Sequence, residues 1–189
     1  VIGPHCTISY EHRFVQDPTA VFERLVEELP LRLHKVVIQG REVIQPRLVC
    51  WHGPGRYVYS GLDLEPQEWP EDLLLLRRQL RKHTKLDFNS VLCNYYRDEN
   101  DSVGWHADDE TYFGDDPTIA TISLGAARVF SMKPKVGRYK PDKYVLANGS
   151  LFIMGAGVQQ HWYHSIQKST IPIAPRLSLT YRIYTEPKT

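Results

Sequence analysis

The rhythm of hydrophobic and polar positions changes along this chain. In DPTAVFERLVEEL (17–29) Val21, Phe22, Leu25, Val26 and Leu29 recur at three- and four-residue intervals, the spacing of one helical face. Asp17 can cap this helix and Pro18 suits its first turn. EDLLLLRRQLRKH (71–83) predicts a second helix, opened by acids and closed by bases as the backbone dipole favours. From residue 88 strand signals dominate. FNSVLCNYY, TIATISLG, ARVFSMK, YVLANGSLFIM, HWYHSI and RLSLTYRIY read as strands, many of them separated by Gly, Pro or Asn. HKVVIQ, GREVIQ and RYVYS are earlier candidates. Two early helices followed by many short strands predict a mainly β architecture with flanking helices, a sheet sandwich or jelly roll.

Composition narrows the class. A length of 189 residues, with 42% hydrophobic and 24% charged, fits one soluble domain over 1–189 with a sizeable core. No apolar run approaches the roughly 20 residues of a membrane helix, and no charged-then-apolar leader opens the chain. The expectation is an intracellular protein of cytoplasm or nucleus, away from membranes. Cys6, Cys50 and Cys93 are odd in number and widely spaced, which points to a reducing compartment rather than a disulfide framework. None belongs to a CxxC pair, which argues against a structural zinc site, and Cys93 reads as a small core residue. A net charge of +1 is not the footprint of a protein that coats nucleic acid by charge alone. The basic stretches RRQLRKHTK (77–85) and KPKVGRYKPDK (133–143) read as a solvated helix face and a surface loop.

The chemistry concentrates in NYYRDENDSVGWHADDE (94–110), where His106, Asp108, Asp109 and Glu110 crowd together. Clustered carboxylates repel unless a cation lies among them. In extended backbone, residues two apart point the same way, so His106 and Asp108 share a side. Two histidines and one carboxylate with open positions form the facial triad of non-haem Fe(II) oxygenases. His161 and His164 are both candidates for the third ligand; their odd separation puts them on opposite faces of a strand, which leaves the choice open. In PRLSLTYRIY (175–184), Leu177, Leu179, Tyr181 and Ile183 face one way and Arg176, Ser178, Thr180 and Arg182 the other. A half-exposed strand would look the same. The functional reading is a cavity wall for a dianion such as 2-oxoglutarate, whose carboxylates match the planar fork of arginine. Asn94 and Tyr96 share one face of the preceding strand and could add hydrogen bonds.

In combination, N-x-Y at 94–96, H-x-D-D-E at 106–110, W-x-H-S at 162–165 and P-R-x-S-x-T-x-R at 175–182 resemble the AlkB-like Fe(II)/2-oxoglutarate-dependent dioxygenases, which remove alkyl groups from nucleic acid bases. The subgroup of the human DNA-repair homologues two and three looks closest, and the resemblance runs from about residue 45 to 184. It implies a double-stranded β-helix (jelly roll) over about 88–184, N-terminal helices, and a nucleotide-recognition lid over about 40–61. It selects His164 as the third ligand, beside His106 and Asp108, and makes His161 a neighbour. It implies that Arg176 and Arg182 hold 2-oxoglutarate, with Asn94, Tyr96 and Ser178 assisting. Ser178 stands where the family usually has Asn, with a shorter reach.

On the substrate side, the resemblance implies that Trp51 in LVCWHGPGRYVYSG (48–61) stacks on one face of a flipped base and His106 on the other, with Tyr57 and Tyr59 nearby. The rival reading is a hairpin whose aromatics fill the core. Asp109 and Glu110 would favour a base made cationic by methylation, such as 1-methyladenine or 3-methylcytosine; Asp109 could instead pair with Arg176. The implied reaction consumes O2 and 2-oxoglutarate on Fe(II) and yields succinate, CO2, formaldehyde and a repaired base. Its substrate would be DNA or RNA, single-stranded or with the base flipped, and the enzyme a monomer. A single lysine in SIQKSTIPIAP (165–175) argues against a strongly basic duplex-gripping loop. Two rivals are an Fe(II)/2-oxoglutarate hydroxylase of a protein or small molecule, and a non-catalytic nucleic-acid-binding module with a relic pocket.

Overall fold

The computed structural model describes residues 6–38, 40–137 and 140–185. In chain order its elements are β1 (Ile8–Glu11), α1 (Pro18–Glu28), β2 (Lys35–Ile38), β3 (Arg41–Ile44), β4 (Leu48–His52), β5 (Tyr57–Tyr59), β6 (Leu62–Leu64) and α2 (Glu71–Thr84). There follow β7 (Ser90–Tyr96), β8 (Val103–His106), β9 (Ile119–Gly125), β10 (Arg128–Pro134), β11 (Asp142–Leu146), β12 (Ser150–Met154), the helical turn α3 (Val158–His161), β13 (Trp162–Ile166) and β14 (Arg176–Arg182). The strands build a six-stranded sheet, β1-β12-β9-β14-β7-β4, and a four-stranded sheet, β11-β10-β13-β8. All pairings within them are antiparallel. The chain passes between the two sheets from β7 to β14, which is the expected jelly roll with β1 and β4 added at the ends of the larger sheet.

Both faces of the larger sheet are covered, so β14 is buried at every residue. Its apolar face meets the helices. Leu177, Leu179 and Tyr181 pack with Val91 and Cys93 of β7 against Leu25 of α1 and Leu73, Leu76 and Leu80 of α2. Each fully buried leucine contributes about 1.5–3 kcal/mol. The Arg24 guanidinium ties the helices together by donating two hydrogen bonds, at 2.8 and 3.0 Å, to Asp72 in the first turn of α2. A second cluster, with Ile119, Phe130, Met132, Phe152 and Trp162, joins the two sheets. Among the described residues no helix is long and apolar enough to cross a membrane.

Several sequence-based boundaries move. Asp17 caps α1 as expected, accepting from Ala20 N at 3.4 Å. β1 has no apolar alternation to announce it; pairing of Ile8 through Glu11 with β12 holds it. YVLANGSLFIM breaks into β11 and β12 around Gly149, whose φ of 75° suits a residue without a Cβ. HWYHSI loses its first residue, since His161 ends the helical turn and the strand begins at Trp162. The stretch expected to be a lid is interrupted: β4 is an edge strand of the larger sheet, paired with β7, and only the β2–β3 and β5–β6 hairpins stand apart from both sheets. Arg138 and Tyr139 of the 133–143 basic stretch lie outside the described residues.

Candidate active site

His106 ends β8 and lies opposite His164 of β13 in the antiparallel ladder. Strand pairing therefore brings together two imidazoles distant in sequence, with ring centroids 4.2 Å apart. Asp108, two residues beyond His106, completes the group. Its carboxylate oxygens lie 3.8 Å from His106 Nε2 and 3.9 Å from His164 Nε2. One ligand atom from each of the three residues lies within 4.8 Å of the others, a spacing one cation can bridge. His106 Nδ1 lies 2.8 Å from the Gly104 carbonyl, which fixes the proton there and leaves Nε2 free as a ligand. The Asp108 amide donates to Gln159 Oε1 at 2.9 Å, and the Phe130 ring stacks on His164.

The electrostatics suit metal binding. Burial, reinforced by His106, holds His164 down to about 3, and desolvation lowers His106 as well. Burial alone would raise the Asp108 carboxyl, but Arg182, His164 and His106 outweigh it and hold it at about 2. At neutral pH the site thus presents two neutral imidazoles and one carboxylate, with no proton to displace.

A cavity of about 690 Å³ opens over this group, and the polar face of β14 forms part of its wall. Arg176, 1% exposed, donates from Nη2 to Ser123 Oγ at 2.8 Å; its Nε and Nη1 are buried with no hydrogen-bond partner. Burial lowers its pKa to about 10, which still leaves it charged at pH 7. Arg182 forms an ion pair with Asp108, Nη2 to Oδ1 at 3.0 Å, and its Nε and Nη1 are without hydrogen-bond partners. Unpaired buried guanidinium N–H groups are costly and call for an anion. A carboxylate arm of 2-oxoglutarate fits that need, while the triad fits Fe(II). Asn94, Tyr96, Ser178 and Thr180 line the same cavity. Asn94 Oδ1 accepts from Arg47 Nε at 2.7 Å, so its amide NH2 is the part left for the cavity.

The acids of HADDE each have a different partner. Asp108 has Arg182, and Glu110 Oε1 accepts from Tyr57 Oη at 2.8 Å. Asp109 pairs with Lys135 Nζ at 2.9 Å, and not with Arg176 as the sequence allowed, because it is exposed at the cavity rim whereas Arg176 is buried. Tyr57 and Tyr59 stack on each other with centroids 4.7 Å apart and line the cavity, and Gln45 donates to Tyr59 Oη.

Trp51 departs from expectation. Its side chain is fully buried and is not part of the cavity wall. The indole packs against Tyr57 at 4.7 Å and Tyr184 at 6.0 Å, and its Nε1–H donates to the Gly55 carbonyl at 2.8 Å. A Cβ on Gly53 would lie 2.7 Å from the ring, so the Gly-Pro-Gly turn folds directly onto it. Trp51 props the β5 hairpin from beneath and has no face left for a base. Trp51→Ala is expected to cost about 3–5 kcal/mol of stability and to depress base binding and uncoupled 2-oxoglutarate turnover together. Thermal melts and the two rates measure this; an unchanged Tm with loss of base binding alone would restore the stacking role.

His161 lies in the helical turn, exposed, and is absent from the triad. Arg47, Gln159 and Lys135 enter the site without having been assigned roles from the sequence. The arginine in QPRLVC was visible, but its reach to Asn94 depends on the β4–β7 pairing.

The family model for the 2OG-Fe(II) oxygenase superfamily matches residues 12–182. The chain is 38% identical over 184 residues to the alpha-ketoglutarate-dependent dioxygenase alkB homolog 3 of Bos taurus, covering 92% of this chain and 64% of the relative. The Homo sapiens homolog 3 is 35% identical, again with 92% and 64% covered, so the chain spans a little under two thirds of these relatives. It is 37% identical to the DNA oxidative demethylase ALKBH2 of Mus musculus, covering 85% of this chain and 71% of the relative. The solved structure of OsALKBH1 shares the fold at a TM-score of 0.67 and 17% identity, covering 93% of this chain and 97% of that one. The chain belongs to the 2OG-Fe(II) oxygenase superfamily, and within it to the AlkB-like dioxygenases.

Proposed function

We propose that this chain is an oxidative demethylase of N-alkylated nucleic acid bases, dependent on Fe(II), 2-oxoglutarate and O2. The observation that carries the reading is the union, in one cavity, of a His-Asp-His ligand group with buried Arg176, whose Nε and Nη1 N–H groups lack partners. His106 Nε2, an Asp108 oxygen and His164 Nε2 hold the iron. Arg176 takes the far carboxylate of 2-oxoglutarate through Nε and Nη1, while the Asn94 amide, Tyr96 and Ser178 shape its berth. Arg182 orients Asp108 and keeps it ionised. When bound, iron and 2-oxoglutarate supply the oxidation that hydroxylates an N-methyl carbon, with succinate and CO2 as products.

The rest of the cavity selects the substrate. A base must leave its stack to reach a recessed site, so the substrate is single-stranded or presents a flipped base. With Trp51 occupied elsewhere, Tyr59, half-buried at the wall, offers the aromatic surface for stacking. Glu110 contributes charge: one carboxylate oxygen accepts from Tyr57 and the other, Oε2, is buried without a partner. Such a group favours a cationic base over a neutral one. The names of the relatives, which include DNA oxidative demethylase, support this reading. The three cysteines form no disulfide, which suits a reducing intracellular setting.

Glu110→Gln is expected to lower kcat/KM on 1-methyladenine about tenfold relative to a neutral alkylated base, about 1.4 kcal/mol of discrimination. Equal losses on both substrates would remove charge recognition from Glu110. The function itself is tested with a single-stranded oligonucleotide bearing 1-methyladenine or 3-methylcytosine. Restoration of the unmethylated base, requiring Fe(II), 2-oxoglutarate and oxygen together, is the expected result. Succinate production that leaves every alkylated oligonucleotide intact would keep the oxygenase and remove nucleic acid as its substrate.

A further inference from the structure

A second group of ligating side chains sits on the opposite face of the larger sheet. Cys50 of β4 and Cys93 of β7 are direct cross-strand partners. His52, two residues after Cys50, projects to the same face. All three are buried, at 4%, 0% and 0% exposure. Their neighbours Trp51, Leu92 and Asn94 point the other way, and of these Leu92 and Asn94 line the iron-site cavity. The three side chains therefore play no part in the proposed oxidation.

Their geometry is that of a metal site. One ligand atom from each residue lies within 4.8 Å of the others. Cys50 Sγ and His52 Nε2 are 3.6 Å apart. A tetrahedral ion with ordinary zinc–sulfur and zinc–nitrogen bonds separates its S and N ligands by ~3.6 Å. His52 Nδ1 faces the Gln67 carbonyl at 3.3 Å, an acceptor only, so the ring proton resides there and the Nε2 lone pair faces the thiols. Metal-bound imidazoles are oriented in this way. Two thiolates and a neutral imidazole offset the charge of one divalent cation, and one thiolate, one thiol and the imidazole that of a monovalent one, which removes the penalty for burying either alone. The Trp69 ring, 5.8 Å from His52, helps cover the group.

We propose that Cys50, His52 and Cys93 form a second metal site, for a thiophilic closed-shell cation, zinc(II) or copper(I), that pins β4 to β7. Thiolate and imidazole ligands select such ions. The absence of a CxxC motif, which argued against zinc at the level of sequence, is bypassed because strand pairing supplies the second cysteine. Among the described residues no fourth His, Cys, Asp or Glu joins the group. The site is therefore three-coordinate in protein ligands and, given its burial, is loaded as β4 docks during folding.

Spectroscopy separates this site from the iron centre, whose ligands are only nitrogen and oxygen. The reduced full chain, stripped of metal, is refolded anaerobically with cobalt(II) as a probe for zinc(II), or with copper(I). The expected result is a thiolate-to-metal charge-transfer band that saturates within the two equivalents the two sites together can take, with a raised Tm. For cobalt the band should disappear when zinc(II) is added. It should also be lost in Cys50→Ala and reduced in His52→Gln, each checked for native circular dichroism. Cobalt and zinc binding identifies the ion as zinc(II); a copper(I) band alone identifies it as copper(I). No band with either metal in the wild-type chain overturns the proposal. So does a band that survives Cys50→Ala, which would belong to another thiol. The wild-type titration decides even if a variant fails to fold.

Discussion

Asp108→Ala is expected to abolish 2-oxoglutarate turnover and to lower thermal stability together. The first effect follows from chemistry: Asp108 is the anionic member of the triad, and without it two neutral imidazoles hold Fe(II) poorly. The second follows from Arg182, whose guanidinium lies 3.0 Å from Asp108 and is 3% exposed. Removing one partner of a buried pair strands the other charge, at a cost of about 3–5 kcal/mol. Asp108→Asn separates the effects, since it keeps the shape and an acceptor for Arg182 but not the charge. It should lose iron-dependent activity with a smaller fall in Tm.

Acid sensitivity carries a related signature. A carboxyl held at about 2 in the fold, against an ordinary 3.8, favours the folded state above pH 3.8. That contribution fades as pH falls through about 2, and it should be missing from the acid melt of Asp108→Asn. Full iron-dependent activity in either variant would remove Asp108 from the metal site.

Arg176→Ala is expected to raise the apparent KM for 2-oxoglutarate by roughly thirtyfold or more, since truncating a buried charged partner costs about 2–5 kcal/mol. Arg176→Lys should fall between, because it retains a positive charge and loses the planar fork. Iron binding should survive in both, which distinguishes this arginine from Asp108. Steady-state KM at saturating Fe(II), together with metal content, measures the two properties. An unchanged KM would place the co-substrate carboxylate elsewhere in the cavity.

Local pattern was legible where local pattern decides. The polar alternation of Arg176, Ser178, Thr180 and Arg182 was readable, and burial on both faces of β14 eliminates the half-exposed alternative. The helical stripe of α1 and its Asp17 cap were equally visible. The failures share one cause, which is dependence on pairing between distant strands. Trp51 looked like a stacking platform because it neighbours tyrosines in sequence, yet Tyr57 folds over it and takes the cavity wall. Parity could not choose between His161 and His164, because the strand begins only at Trp162. Arg47 and the Cys50–His52–Cys93 group acquire meaning only once β4 docks on β7.

The central claim is tested most directly by measuring succinate and formaldehyde in the same reaction. The protein is loaded anaerobically with Fe(II), then given oxygen, 2-oxoglutarate and a single-stranded oligonucleotide carrying 1-methyladenine. One formaldehyde per succinate, with the base restored, is the result expected of an oxidative demethylase. Absence of both products from protein shown to contain iron would contradict the account.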